Sequence, residues 1–379
     1  MQLSCTHEHL GIALSYLEWV VGKQSHLPIL SNILFEAEAG KLRLCATNLE
    51  IGVTTVVPAK VEEEGKMVIP VKVLLNFVHN IDPDQIVHIQ QEGSQMVIEN
   101  GKDEIRIQSM ESKDFPIIPE YTGEYPVTME GGVFEETLRR VVFAASTNES
   151  RMELTGVALT LSLSGVSLAA TDSFRLAEYT PPIIEGQLID SLTQLLEVEG
   201  GTLIFPVDTL QELGRIIQAN PTLVSMALAE SQLFFRIGDT QVVSRIIQGR
   251  YPDYRQIIPT EFQQTVRVPK PELVRALKMA TSFAQYSGGE VKCHFLAEES
   301  MLEISTLSSG IGEQRTRISL GEGVMEEREF VFQARHLLEG VNVLNGESIT
   351  FRMNGKDAPA LLSGVDGEKH FYLVMPIRK

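Results

Sequence analysis

An α+β fold copied three times along the chain is predicted by three observations: a recurring helical stripe, a recurring strand-to-helix unit, and an extended proline-bearing segment that closes the first two copies. The stripe is Leu10, Leu14, Leu17, Val21, then Phe134, Leu138, Val141, Ala145, then Leu273, Leu277, Ala280, Ala284. Each steps by 4, 3 and 4 residues, which draws one apolar line down one side of a helix. Charges take the other side: Glu135, Glu136, Arg139 and Arg140 in the second copy, Arg275 and Lys278 in the third.

The strand-to-helix unit follows in the same order. Met67-Val68-Ile69-Pro70 leads into Leu74 and Ile81, Leu203-Ile204-Phe205-Pro206 into Leu210 and Ile217, and Phe330-Val331-Phe332-Gln333 into Leu337 and Leu344. Pro70 and Pro206 suit a first helical turn, where the missing N–H has no partner to lose. Asp114-Phe115-Pro116-Ile117-Ile118-Pro119 is echoed from Tyr251-Pro252-Asp253 to Ile257-Ile258-Pro259, and both read as extended linkers. The expected domains are 1–125, 126–261 and 262–379, each of ordinary domain size. Between the helices the text alternates with period two, as in Lys41–Cys45, Gln95–Ile98, Leu233–Arg236 and Leu302–Ile304, so each copy is two helices plus antiparallel sheet. Such modules can join their sheets edge to edge and close a ring, with helices inside.

Composition places the 379 residues among ordinary globular chains, 43% apolar and 22% charged. The uncharged run Leu154–Thr171 approaches the length of a membrane span. Its alternation of Val157, Leu159, Leu161 and Leu163 with small or polar residues, broken at Ser164-Gly165, reads instead as a β-hairpin. Three scattered cysteines and the lack of a signal-like N-terminus point to a reducing, cytoplasmic setting. The formal charge of −18 argues, taken alone, against a nucleic-acid protein. The charge is uneven, however: residues 1–125 carry 9 bases against 18 acids, 126–261 carry 9 against 17, and 262–379 carry 14 against 15.

Catalytic signatures are missing. None of Gly65-Lys66, Gly101-Lys102 and Gly355-Lys356 is followed by Ser or Thr, so no phosphate loop is formed. There is no Gly-x-Ser-x-Gly. His7 and His9 lie on different faces of a helix start, and Cys293 and His294 on opposite faces of a strand. The run Glu62-Glu63-Glu64 reads as an exposed turn. No metal site, cofactor or enzymatic activity is expected.

Four segments carry a family resemblance. They are Leu27-Pro28-Ile29-Leu30-Ser31-Asn32-Ile33-Leu34 followed by Thr47-Asn48-Leu49-Glu50; Ala170-Thr171-Asp172-Ser173-Phe174-Arg175-Leu176-Ala177; Gly249-Arg250-Tyr251-Pro252-Asp253-Tyr254; and Val374-Met375-Pro376-Ile377-Arg378. In this order, on a threefold repeat, the chain resembles the bacterial sliding clamps, the beta subunits of the replicative DNA polymerase III. The resemblance implies three clamp-type domains per chain, assembled as a head-to-tail dimeric ring around duplex DNA. It implies a non-catalytic processivity factor without cofactor, opened and closed by a clamp loader. It also implies a catalytic polymerase subunit and other partners that bind through short clamp-binding peptides. A clamp-like protein–protein hub, or a resistance-type clamp paralogue, is the alternative that the acidic balance suggests. Enclosure would reconcile that balance with DNA, because a ring holds DNA by topology and needs positive potential only in its bore.

The resemblance also assigns residues. The peptide groove would comprise Leu154, Thr171, Ser173, Phe174, Arg175, Leu176, Pro252, Gln256, Ile257, Leu373, Val374, Met375, Pro376, Ile377 and Arg378, with apolar walls for a leucine or aromatic anchor and Arg175 and Arg378 at the rim. Phe174 and Gln256 depart from what many relatives carry. Read alone, the terminal segment is also a core strand. DNA contacts would come from Lys23, Lys72, Arg139, Arg140, Arg151, Arg275, Lys278 and Arg335, with Asp208 replacing the base expected in the second copy. The same residues also read as solvated helix charges. Ile105 and Ile107 on one side and Phe283 on the other would form the dimer contact, unless they are core residues of their own domains.

Overall fold

The alternating and helical patterns resolve, in a computed structural model, into twenty-five strands and six α-helices among the described residues: 1–21, 27–162, 165–181, 201–286, 288–308, 310, 312–321, 326–367 and 369–378. The helices are α1 (His7–Leu17), α2 (Val71–Asn80), α3 (Gly131–Arg139), α4 (Val207–Ala219), α5 (Lys270–Ala284) and α6 (Ala334–Val343), two per repeat. Every stripe residue is buried. Val21, Val141 and Ala145 lie past the ends of their helices, so the apolar line outlasts the helical backbone at two sites. Pro70 and Pro206 do not occupy a first helical turn. Each ends a strand, and Pro70 is the residue before α2, at φ −63° and ψ 120°.

By contacts the described residues divide into two compact units, one built on Met1–Glu135 with Asp208–Ile246, the other on 136–181, 201–207 and 247–378. The first contains a five-stranded antiparallel sheet in the order Lys60–Glu63, Gln2–Thr6, Ile86–Glu92, Gln95–Asn100, Asp103–Gln108. It also contains an eight-stranded sheet that crosses a repeat boundary. There Thr240–Arg245 of the second repeat pairs antiparallel with Ile51–Pro58 of the first, with Val242 opposite Val53. Helix α1 lies on this sheet and against α2. Thr6 caps it by accepting from the His9 amide, and the His7 ring bonds the Val78 carbonyl at 2.7 Å. His7 is thus a helix-packing residue. Glu62 and Glu63 end an exposed edge strand, and only Glu64 falls beyond it.

The second unit repeats the scheme. Its eight-stranded sheet includes the expected hairpin, Gly156–Ser162 with Gly165–Thr171 (the turn residues Leu163 and Ser164 are outside the described residues). No helix in the described residues is long and apolar enough to cross a membrane. In the same sheet Arg175–Tyr179 of the second repeat pairs with His370–Val374 of the third, Arg175 opposite Val374. A four-stranded sheet, Gly312–Ser319, Met301–Ser308, Glu290–Leu296, Arg328–Gln333, carries α5, whose Leu273, Leu277 and Ala280 are fully buried. Phe295, Phe332, Phe351 and Tyr372 complete this core, each contributing roughly 2–3 kcal/mol relative to exposure. Sheets joined edge to edge at two repeat boundaries are what the alternating sequence predicts. The pairing also explains why the units divide the middle repeat, since each of its sheet halves is fused to a neighbour.

Candidate functional site

The segment Thr171–Arg175 is a tight turn built from its own side chains. The Asp172 carboxylate accepts from the amides of Phe174 and Arg175, both at 2.9 Å. The Thr171 hydroxyl donates to the Arg175 carbonyl at 2.6 Å and accepts from the Ser173 amide at 3.1 Å. Short polar side chains stabilise such turns by standing in for backbone partners. The result forces Ser173 to φ +77°, a conformation costly for any residue with a Cβ. It also projects the Phe174 ring into solvent at 65% exposure.

Two further segments meet this turn. The Met375 amide donates to the Phe174 carbonyl at 2.9 Å, and the Ile377 amide to the Val331 carbonyl at 2.7 Å. Leu154, Leu176 and Leu373 form one buried cluster with Tyr251 and Tyr254 of the linker, and Met375 packs against it. Gly249, at φ 142°, turns the chain into that linker, and a short 3-10 turn, Tyr254–Ile257, leaves Ile257 exposed. The Tyr254 hydroxyl donates to the Glu178 carboxylate, and burial together with that neighbouring charge pushes its pKa up. Of the expected groove residues, Ser173, Phe174, Gln256, Ile257 and Arg378 are exposed, and Pro252, Met375 and Ile377 are half-buried. Thr171, Val374 and Pro376 are buried and act as the frame.

Arg175 corrects an expectation. It is not at the rim but 8% exposed, bonded to Asp172 at 2.9 Å, to Glu339 of α6, and to the Phe143 carbonyl at 2.7 Å. A buried guanidinium needs such partners because leaving it unpaired is costly. In sequence Tyr251 and Tyr254 belong to the linker motif; in the fold they pack with Leu154, Leu176 and Leu373 beneath the site. Two large rings three residues apart, flanking Pro252, were the available signal.

The basic residues separate. Lys72, Arg275 and Lys278 are exposed on α2 and α5 with no ion pair among the described residues. Arg139 and Arg335 are exposed but held by Glu136 at 2.6 Å and Glu339 at 2.6 Å. Arg151 bonds Glu153 at 3.0 Å and reaches the Ser173 hydroxyl at 3.4 Å, beside the turn. Lys23 lies outside the described residues. Arg140 is a second correction: it lies one residue past α3, 5% exposed, stacked 4.4 Å over the Tyr179 ring, bonded to Glu136 and against His370. Its charge is consumed inside the unit.

The dimer candidates divide likewise. Ile105 is half-buried on Asp103–Gln108, a sheet-edge strand. Ile107 on the same strand is 5% exposed and belongs to its own core. Phe283 lies in the last turn of α5, half-buried. Beside it two further large side chains stand exposed, Tyr286 at 63% and Leu307 at 70%. The Ser308 hydroxyl bonds the Tyr286 carbonyl, so the two segments are tied together next to the edge strand Gly312–Ser319. Leu307 breaks the inward alternation of its strand, which was the readable sign.

No cluster of His, Cys, Asp and Glu among the described residues can hold a metal. The three thiols are buried, and burial pushes Cys5 and Cys293 up to about 12, where they are not nucleophilic.

A threefold α+β repeat with sheets fused across repeat boundaries, an apolar site framed by a turn, a linker and a terminal strand, and basic helix faces define a scaffold of the DNA-clamp class. The chain matches the DNA polymerase III beta subunit in its N-terminal domain over residues 1–119, its central domain over 128–253 and its C-terminal domain over 255–378. It is 29% identical over 391 residues to the beta sliding clamp of Synechocystis sp., covering 100% of this chain and 99% of that protein. Among solved structures, the DNA polymerase sliding clamp of Bacillus subtilis superposes with a TM-score of 0.88 at 23% identity, covering 100% and 99% of the two chains. The DNA polymerase III beta subunit of Thermotoga maritima gives 0.87 at 25%, with the same coverage. The chain belongs to the DNA polymerase III beta subunit family, the sliding clamps, which are non-catalytic processivity factors of the replicative polymerase.

Proposed function

We propose that two copies of this chain close head to tail into a ring around duplex DNA, and that partners dock as short peptides on Phe174, Ile257 and Met375. The observation that carries the peptide reading is one frame in which the terminal strand is hydrogen-bonded to Thr171–Arg175 and the linker tyrosines pack beneath both. It holds exposed apolar side chains rigidly over a buried cluster, which is how a leucine or aromatic anchor is received. A polymerase catalytic subunit and a clamp loader are the expected partners, and the protein works in the cytoplasm. The domains of the ring are 1–125, 126–261 and 262–379 of each chain.

Ring closure is supported by two strands that stand at sheet edges among the described residues, Asp103–Gln108 and Gly312–Ser319. Antiparallel addition of one edge to the other copy's edge would satisfy both, with Ile105, Phe283, Tyr286 and Leu307 covered at the join. Lys72, Arg275, Lys278, Arg139 and Arg335 would line the bore, weakly enough to permit sliding.

The test is loading onto a nicked circular plasmid with clamp loader and ATP, followed by gel filtration. The protein should travel with the circle and dissociate when the plasmid is linearised. Retention on linear, unblocked DNA would show adhesion rather than enclosure. A primer-extension assay with loader that shows no gain in product length would favour the non-replicative hub.

A further inference from the structure

The turn that displays Phe174 is held from behind by a chain of charges. Asp172 Oδ1 fixes the amides of Phe174 and Arg175, while its other oxygen accepts from Arg175 Nε at 2.9 Å. The same guanidinium donates through a second nitrogen to Glu339 Oε2 of α6, and through its third to the Phe143 carbonyl at 2.7 Å. Glu339 Oε1 in turn accepts from Arg335 Nε, one helical turn earlier, at 2.6 Å. Two carboxylates thus hold two guanidiniums in the order Arg335, Glu339, Arg175, Asp172. The chain runs from solvent to the interior: the Arg335 side chain is 78% exposed, Glu339 is half-buried and Arg175 is buried. The Tyr372 hydroxyl donates to the His336 carbonyl at 2.9 Å, so the first turn of α6 is tied to the terminal strand beside the site.

The other copies do not carry this chain. Thr47–Ile51 makes the same turn in the first repeat. There the Thr47 hydroxyl donates to the Ile51 carbonyl at 2.7 Å, Asn48 Oδ1 accepts from the amides of Glu50 and Ile51 at 2.9 and 2.8 Å, and Leu49 has φ +77°. Ile51 stands in the place of Arg175 and Asn48 in that of Asp172. On the helices, Arg335 and Glu339 correspond to Lys72 and Asn76 in the first copy and to Asp208 and Glu212 in the second, and neither couple is of opposite charge. A turn of this kind therefore closes without a guanidinium, and the charge chain is an addition to it.

An exposed helix pair such as Arg335–Glu339 is weak, because water screens it and side-chain entropy opposes it. A DNA phosphate competes well for the same guanidinium, whose planar fork it can engage with two oxygens. Once Arg335 turns to a phosphate, Glu339 keeps Arg175 as its remaining cation and draws it toward α6 and off Asp172. The carboxylate that anchors the Phe174 amide then loses its counter-ion. We infer that Glu339 is a positioning residue through which a phosphate on Arg335 weakens peptide docking at Phe174. The inference rests on the readings of the peptide site and of Arg335 in the bore given above. By linkage, a docked peptide weakens the phosphate contact by the same factor, so the grip on DNA relaxes while a partner is engaged.

The experiment measures, by fluorescence polarisation, the binding of a fluorescein-labelled peptide with a leucine and a phenylalanine anchor. It uses the full-length protein, free and loaded on a nicked circular plasmid, the loader being removed by gel filtration. Loading should weaken the peptide roughly three- to fivefold, the scale of one exposed ion pair. Arg335→Gln should show the same loss without DNA, and loading should then add nothing. Arg335→Lys should restore both the affinity and the response to loading. Glu339→Gln should abolish the response. Arg335 is exposed, so an unchanged melting curve separates its effect from unfolding. Peptide affinity that neither loading nor Arg335→Gln changes, but that Phe174→Asp abolishes, overturns the inference and leaves the peptide site standing. A response to loading that persists in Arg335→Gln overturns the assigned route. A loss in Arg335→Gln with no effect of loading on the wild type overturns the phosphate contact of Arg335. Failure of the peptide to bind the free wild type overturns the peptide reading, and this inference with it.

Discussion

The backbone amide of Met375 donates to the carbonyl of Phe174 across 2.9 Å, linking two residues some two hundred positions apart in the chain. It clamps the exposed phenylalanine turn onto the end of the last strand. The pairing of Arg175 with Val374 stops there, so this bond extends the sheet by one rung just where a peptide would lie.

Met375→Pro removes that donor. The loss of one hydrogen bond costs about 1 kcal/mol, so the melting midpoint should fall by only a few degrees. Peptide affinity should fall at least tenfold in fluorescence polarisation, because Phe174 is no longer fixed. Unchanged affinity would mean that the turn holds its shape without the terminal strand.

Ser173 at φ +77° carries a backbone cost that glycine does not. Ser173→Gly should therefore stabilise the protein by roughly 0.5–1 kcal/mol, offset in part by the greater freedom of the unfolded chain. Its side chain takes no part in the Asp172 and Thr171 bonds, so those survive. Urea unfolding of the two proteins measures the difference.

Arg175 sets an acid-side dependence. Burial pushes the Glu339 carboxyl up, but Arg175 and Arg335 overrule it and hold it below its ordinary value. A lowered carboxyl contributes stability that is present above its unfolded pKa, about 4.3, and lost as pH falls through the folded one. Burial, aided by Arg175, lowers the His336 pKa. That contribution is present above about 6.5 and is lost as pH falls below it. Unfolding free energy should thus decline in two steps between pH 7.5 and 3. Arg175→Met should cost about 3 kcal/mol at pH 7.5 and shrink the upper step. An upper step of undiminished size in this variant would assign it to another group.

At the proposed dimer edge, Leu307→Glu and Tyr286→Glu should each give folded monomers in sedimentation, since both side chains are exposed in one chain and would be buried by the second copy. Ile107→Glu should instead unfold the first unit, because Ile107 is already buried there. A folded monomer from Ile107→Glu would contradict this assignment.

The helical stripes and strands were legible because their periods, 3.6 and 2, are local properties of the chain. The hairpin of the second repeat was legible for the same reason. The states of Arg140, Arg175 and Ile107 were not. Each reads as a surface or interface residue by its neighbours in sequence, yet Arg140 is closed in by His370, and Arg175 by Glu339. The matching turns at Thr47 and Thr171 were visible as two polar motifs. That they share one hydrogen-bond scheme required the coordinates.

The amino-acid order alone determined the threefold module, its α+β character and its kinship with clamps, because repetition and periodicity are written along the chain. Only the tertiary structure decided which arginines are exposed, which described strands stand at sheet edges, and which apolar residues stand out in solvent. Those outcomes depend on segments brought together across hundreds of residues, and burial is a property of that meeting rather than of any residue in it.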